Sequence, residues 1–580
     1  MNTDIENLFK DKVLGHPAGL FVLFFTEMWE RFSFYGMRIL LVLFLTAPIM
    51  SDNPGWEWPR EHALALIGTY ASLLYLTPIL GGYIADKITG YKGAVIIGCF
   101  IMTLGHASMA LEVTWSFYLG LALLVIGTGF FKPNITSVIS EMYKGKESKK
   151  DGAYTIFYMG VNAGAFFGMM LCGFLAENYG WSWGFGLAGI FMFLGMLQFW
   201  LASSLFGKIG DKPPTSAEVA ELKTNEPNLG EEEKRNPFTT VDKVIMWVSA
   251  LGGLFYLFND PISKIGAVEL PIDSNVVVLT ALALFLFLII SRTSRYTKIV
   301  RDRIIAVAIF GVFTVFFFSA FEQSLGSMTL FARDYTNRTL VGPAAMVFKI
   351  VDALLTTVPL IIITWVLFLL FKKTYTRIKY SNIFLAIAFL GVWALVIFRL
   401  NDKFSLEGNE IDASWFAILN SFFIITLAPL FSKWWESKYN PSAAMKYGIG
   451  LILLGLSFGI LAFGSMGIPQ GAKTASVSMV FLILTYLVYT MGELCVSPVG
   501  LSYLSKLVPP RMIGFMFGIW YLAIAIGQKA AGTMGGLIDK VTAEYSLSSF
   551  FLIFTLVPIG VGFISIILNP LLKRLMHDIR

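Results

Sequence analysis

Sixteen separate stretches of this chain, from 17–47 near its start to 548–571 near its end, are apolar and long enough to cross a bilayer. A hydrocarbon core of about 30 Å needs about 20 helical residues. Lipid offers no hydrogen bonds, so each span must satisfy its backbone internally and the chain must be an all-α bundle. Composition agrees, since the 580 residues are 56% hydrophobic and 14% charged, with a mean hydropathy of +0.70. These values belong to an integral membrane protein. The first stretch is too long and too charged for a cleaved leader, and reads as the first span.

Basic residues fall in alternate loops: Lys87 and Lys92; Lys144, Lys146, Lys149 and Lys150; Arg292, Arg295, Lys298, Arg301 and Arg303; Lys372, Lys373, Arg377 and Lys379. Cytoplasmic loops carry that excess, which places the N-terminus inside. An even number of spans then puts Lys573, Arg574 and Arg580 inside too. The net charge of +6 follows from this orientation and gives no reason to invoke nucleic acid. A bacterial inner membrane with both termini cytoplasmic is the expected setting. Cys99, Cys172 and Cys495 are isolated in apolar segments, so neither a disulfide framework nor a metal site is expected. The four histidines are scattered, and His106, the one inside a span, reads as a packing residue.

The long polar segment 207–240 lacks apolar periodicity and reads as a cytoplasmic linker. Six spans precede it, giving a six-helix half over 1–206. Then come an inserted pair at 241–292, a first helix of the second half at 304–331, a second inserted pair at 345–399, and the remaining helices over 412–580. A repeat fits this division. KPNITSVIS (132–140) followed by IFYMGVNAG (156–164) is matched by SPVGLSYLS (497–505) followed by IWYLAIAIG (519–527). Parallel repeats of six helices are a transporter layout, with the substrate at the interface between halves.

The first span carries FTEMWERFSFYGMR. At 100° per residue, Glu27, Arg31, Tyr35 and Arg38 fall within an arc of about 80°, with Glu30 about 60° to one side. Each charge in a membrane costs roughly 2.5–3.5 kcal/mol or more, so the face requires pairing or water. Acids that can take a proton, set among arginines that cannot lose one, point to a functional cavity rather than a permanent staple. Lys132 beside Pro133, Glu322, and Glu493 four residues before Ser497 interrupt other spans. Fixed cations suit a carboxylate and glutamates an amino group, so a zwitterion or peptide fits the set. A proton on a glutamate would rearrange those pairings, as proton coupling requires.

E-x-x-E-R-F at 27–32, FFKPNITSVISEMY, FYMGVNAGAFFG and ELCVSPVGLS together resemble the proton-dependent oligopeptide transporter family of the major facilitator superfamily. GGYIADKITGYKG resembles the superfamily's loop between its second and third helices, with Asp86 as the acid. GIWYLAIAIGQKAAG and LNSFFIITLAPLFSKWW are similar to the family's eleventh and eighth core helices. The resemblance covers almost the whole chain. It implies a major facilitator fold of twelve core helices plus two inserted hairpins, about 16 spans, importing di- and tripeptides with protons as the coupling ion and no other cofactor. It further implies that Arg31, Lys132 and Arg38 hold the carboxylate side of the peptide, and Glu493, Asn162 and Asn420 its amino terminus and backbone. Tyr35, Tyr75, Tyr158 and Trp520 would line pockets, with Ser497 beside them. Glu27, Glu30, Arg31 and Glu322 would couple protons; Arg38–Glu322 and Lys132–Glu493 would be gating pairs, and Asp86 a latch.

Phe318 stands where many relatives have Trp, Ser421 replaces the Pro of an Asn-Pro, and Gln528 replaces a common Asn, all of which bear on pocket shape. Asp352, inside the second inserted pair, has no assigned role; it would either anchor a contact with the core or mark a re-entrant segment. Rival readings are a family relative carrying another small anion or a peptide-like drug, and, from another class, a membrane receptor or membrane-embedded enzyme. No His cluster, aspartate pair or Ser/His arrangement supports an enzyme.

Overall fold

The computed structural model describes residues 2–146, 149–211, 236–266, 273–507 and 513–577; most of the expected linker, 212–235, lies outside them. Six long helices come first: α1 Ala18–Thr46, α2 Arg60–Ile84, α3 Gly90–Met109, α4 Thr114–Met142, α5 Lys150–Tyr179 and α6 Trp181–Ala202. Then follow α7 Thr240–Lys264, α8 Ser274–Thr293, α9 Lys298–Phe321, α10 Gly342–Thr374 and α11 Lys379–Ser405. The last are α12 Ile418–Glu436, α13 Ala443–Gly464, α14 Met479–Leu507, α15 Ile513–Gly536 and α16 Leu547–Ile567. Thirteen continuous helical stretches among the described residues are long and apolar enough to span a membrane, and one of them, Arg60–Met109, holds both α2 and α3. α1, with its four charges, and α15 complete the sixteen.

The same pairs of helices pack in both halves. In the first half α1 lies on α5, α2 on α4, α3 on α4 and α3 on α6. In the second, counting α9 and α12–α16 as its six, α9 lies on α15, α12 on α14, α13 on α14 and α13 on α16. The repeated sequence words thus occupy equivalent helices, α4 and α5 against α14 and α15.

The inserted pairs sit at the periphery. α7 packs on α8 and on α2, and α11 packs on α6. Their apolar faces remain outside: Leu251, Leu279, Phe368 and Leu390 are all exposed, as side chains meeting lipid should be. α10 runs unbroken through Asp352, which excludes a re-entrant segment. Asp352 is buried, pairs with Arg399 of α11 at 2.8 Å and accepts from Trp415 Nε1 at 2.7 Å, so it anchors the second inserted pair to the core.

Two details depart from the sequence expectation. The continuous span foreseen over 304–331 breaks at Glu322, where a 3-10 turn, Glu322–Leu325, leads into a second short helix, Ser327–Asp334. The stretch foreseen from 412 begins with a 3-10 turn, Ala413–Ala417, before α12.

The hydrogen bonds and ion pairs that join the halves among the described residues lie toward the end opposite the basic loops. Arg60 of α2 meets Asp334 and Asp539, each at 2.8 Å. Arg333 donates to Thr46 at 2.8 Å, Asn178 to Asp412 at 2.9 Å, and Ser72 to the Ala525 carbonyl at 2.7 Å. The end of the bundle opposite the basic loops is therefore closed.

Candidate functional site

Pro17 is the N-cap of α1, and the helix then runs unbroken for 29 residues, which carries its charged face through the bundle's middle. Arg31 Nε donates to Glu27 Oε1 at 2.7 Å and lies 3.1 Å from Glu30 Oε2. The i, i+4 pair with Glu27 follows from helix geometry. Both glutamates are buried, and neither Glu30 oxygen has a hydrogen-bond partner. An unbonded buried carboxylate is costly. Glu30 is thus a strained neighbour of a fixed cation, the arrangement that a proton or an incoming carboxylate changes most.

Two turns further along α1, Arg38 crosses to the other half. Its Nη2 donates to Glu322 Oε2 at 2.7 Å and to Gln528 Oε1 at 2.9 Å, and Gln528 Nε2 donates to Glu322 Oε1 at 2.6 Å. Glu322 begins the 3-10 turn that breaks the helix, and both of its carboxylate oxygens are bonded. Phe34 lies between the two arginines, with guanidinium carbons 5.8 Å (Arg31) and 5.6 Å (Arg38) from its ring centroid. That is within cation–π range.

Lys132 of α4 places its ammonium 4.1 Å from the centre of the Tyr75 ring, on α2. Tyr75 in turn is near Tyr521 of α15, with ring centroids 6.4 Å apart. Across the bundle, Asn420 Nδ2 of α12 donates to Glu493 Oε2 of α14 at 2.8 Å and to Thr490 Oγ1 at 3.1 Å. Lys132 and Glu493 are thus held by Tyr75 and Asn420 respectively, with no ion pair between them among the described residues. Ser497 is one helical turn beyond Glu493 on α14.

Tyr35 shares the charged face of α1, its ring 4.9 Å from Phe34. Tyr158 is 42% exposed and lies just before the buried run of α5 that begins near Gly160. Asn162, one turn on, is buried and donates to the Tyr158 carbonyl at 3.0 Å. Trp520 is buried against Tyr447, with centroids 6.4 Å apart and rings nearly perpendicular. Asp86 stands apart at the C-terminal end of α2, exposed in a π-helical turn, Ala85–Thr89.

The arrangement therefore has two poles. Arg31 and Lys132 are cationic on the first half, and Glu493 with Asn420 is acidic on the second. Glu27 and Glu30 lie beside Arg31, and Glu322 lies beside Arg38. Cations for a carboxylate and an acid for an amine are what a zwitterion needs. Sequence reasoning named Gln528 only as a change bearing on pocket shape, without its partners, and did not single out Thr490 or Phe34. A polar residue inside an apolar span was the available signal for Gln528; Phe34 among many phenylalanines carried none. Among the described residues no group of three His, Cys, Asp or Glu side chains is placed to hold a metal.

The model of the PTR2 family, described as the POT family, matches residues 92–381 and 383–551. A peptide transporter of Yersinia enterocolitica is 31% identical over 536 residues, covering 90% of this chain and 88% of its own length. A di-/tripeptide transporter of Lactococcus lactis is 28% identical over 99% of this chain and all of its own. Among solved structures, a peptide transporter POT crystallised in complex with sulfate superimposes with a TM-score of 0.69 at 26% identity, covering 99% of each chain.

Proposed function

We propose, from the premise that the chain belongs to the POT family of multi-pass membrane transporters, that it is a proton-coupled symporter carrying di- and tripeptides into the cell by alternating access. The observation that carries this reading is Arg31, bonded to Glu27 and 3.1 Å from an otherwise unbonded Glu30. A peptide carboxylate reaching the terminal nitrogens of Arg31 must compete with those acids for its charge. A proton on Glu30 removes the competition, so carboxylate and proton bind best together. Lys132 adds a second cation for the carboxylate, while Glu493 and Asn420 receive the amino terminus. Asn162 and Ser497 reach the peptide backbone, and Tyr35, Tyr75, Tyr158 and Trp520 shape the walls.

Arg38 and Glu322 form the outer gate. A proton on Glu322 removes its charge, weakens its hold on Arg38, and lets the outer end open. In this reading residues 1–206 are one half, and 304–331 with 412–580 the other, rocking about the site; the pairs within 241–292 and 345–399 are additions. Asp86 acts as a latch at the inner end. The cytoplasmic side is the one bearing the basic loops, with both termini there and the chain in a bacterial inner membrane.

The test is uptake of labelled dialanine into proteoliposomes under an inward-acid pH gradient, for the wild type and Glu30→Gln. Concentrative uptake by the wild type, with exchange alone retained by the variant, is expected. A wild type that ignores dialanine but accumulates another small anion or a peptide-like drug would overturn the substrate assignment.

A further inference from the structure

The inserted helix α7 carries a second acid into the outer gate. Asp260 of α7 and Lys529 of α15 are both buried, and Lys529 Nζ lies 2.5 Å from Asp260 Oδ2. The same ammonium donates to Thr69 Oγ1 at 2.9 Å and to the Ala65 carbonyl at 3.3 Å, both on α2. An ammonium has three protons, so these acceptors use all of them. Thr69 Oγ1 in turn donates to the Leu257 carbonyl of α7 at 2.8 Å, and Lys264 bridges Asp260 at 3.2 Å and Glu61 of α2 at 3.5 Å. α7 is therefore fastened to α2, in the first half, while Lys529 belongs to the second.

This cluster sits beside a close approach of the halves. A Cβ on Gly532, three residues beyond Lys529, would lie 2.5 Å from the Leu64 carbonyl and 2.7 Å from Gly68 Cα. Lys529 also follows Gln528, which bonds Arg38 and Glu322. One turn of α15 thus carries two separate polar ties to the first half, one to α1 and the other to α2 and α7.

We infer that Asp260 and Lys529 are a gating pair, in which the inserted helix α7 lends the first half a buried carboxylate that holds α15 and keeps the outer end closed. The inference rests on the alternating-access reading above but not on the identity of the substrate. Opening moves α15 from α2, and Asp260 stays behind with α2, so the pair must break each time the outer end opens. Breaking a buried ion pair is strongly unfavourable, which biases the resting protein towards the closed outer end.

Distances between spin labels at Leu111 and Met466, exposed outer-loop positions on the two halves, read this directly. The labels are placed in full-length protein whose three buried cysteines are replaced, and measured in lipid nanodiscs without peptide. Asp260→Asn is expected to raise the ratio of long to short distances about tenfold, within the roughly 5–150-fold span of couplings between sites. The charge exchange Asp260→Lys with Lys529→Asp should return the ratio towards that of the parent. Thr69→Val, which leaves the ion pair intact and removes one acceptor, should give a smaller rise in the same direction. It serves as the test if Asp260→Asn does not fold. Unchanged distances in Asp260→Asn, or in Thr69→Val where only that variant folds, would overturn the inference. Because no peptide is present, failure of dialanine uptake would leave this result standing.

Discussion

Arg38 on α1 and Glu322 at the broken end of α9 are 2.7 Å apart, and Gln528 of α15 bonds to both. Both charged side chains are largely buried, at 4% and 8% exposure. Removing one partner of such a pair leaves a buried charge, at a cost of about 3–5 kcal/mol. Glu322→Gln keeps the shape and a hydrogen-bond acceptor, so its effect should lie at or below the lower end of that range. The expected outcome is loss of pH-driven dialanine accumulation with counterflow exchange retained. Equal loss of both would show that the pair serves folding rather than gating.

Arg31 meets Glu27 and Glu30 through its Nε, at 2.7 and 3.1 Å, which leaves both terminal nitrogens of its fork for a carboxylate. A lysine offers a point charge with no fork. Arg31→Lys should therefore fold and keep the net charge, yet weaken binding of dialanine at least about tenfold, the loss that corresponds to about 1.4 kcal/mol. Equilibrium binding of labelled peptide in detergent measures this. Unaltered affinity would move the carboxylate site to Lys132.

Much of this was legible in the sequence because charge in a membrane has few explanations. Glu27, Glu30, Arg31 and Arg38 announce themselves on one helix face, since the cost of burying them excludes accident. Glu493 showed as a charge inside a span, but Asn420 and its role beside Glu493 needed the family resemblance, because nothing local in either helix says that they meet. Partners far apart in sequence stayed hidden for the same reason. Gln528 bonds Arg38 across 490 residues, and Lys529 bonds Asp260 across 269. The charge of Lys529 within AIAIGQKAAG was a visible signal of the same kind as Lys132. The break at Glu322 falls on EQSLGS, where polar residues and Gly326 interrupt the apolar run and were the available mark.

Asp352 and Arg399 make a stability prediction. Arg399 is fully buried, and Asp352 is both its ion-pair partner, at 2.8 Å, and the acceptor for Trp415. Asp352→Ala strands the guanidinium, and should lower stability by about 3–5 kcal/mol, read as a large fall in the melting temperature of purified protein. Asp352→Ala with Arg399→Leu removes the stranded charge, and should recover most of that loss, because an apolar replacement of a buried pair is often neutral. Dialanine uptake by the double variant should stay near wild type, as the pair lies outside the cavity residues. A double variant as unstable as the single one would place the energy in the Trp415 hydrogen bond instead.

The crossing of α2 and α15 makes the last prediction. A Cβ on Gly532 would meet the Leu64 carbonyl at 2.5 Å and Gly68 Cα at 2.7 Å, both backbone atoms that cannot swing aside. Helices approach this closely in membranes through small residues. Gly532→Leu should therefore hold the outer ends of α2 and α15 apart while leaving each half folded, since the clash lies only between halves. The expected outcome is a transporter that reacts with membrane-impermeant thiol reagent at a cysteine placed at Ala65, and that carries no dialanine. In the parent that position is buried and should react slowly. If Gly532→Leu transports normally and Ala65→Cys stays protected, this close approach of α2 and α15 is not what closes the outer end.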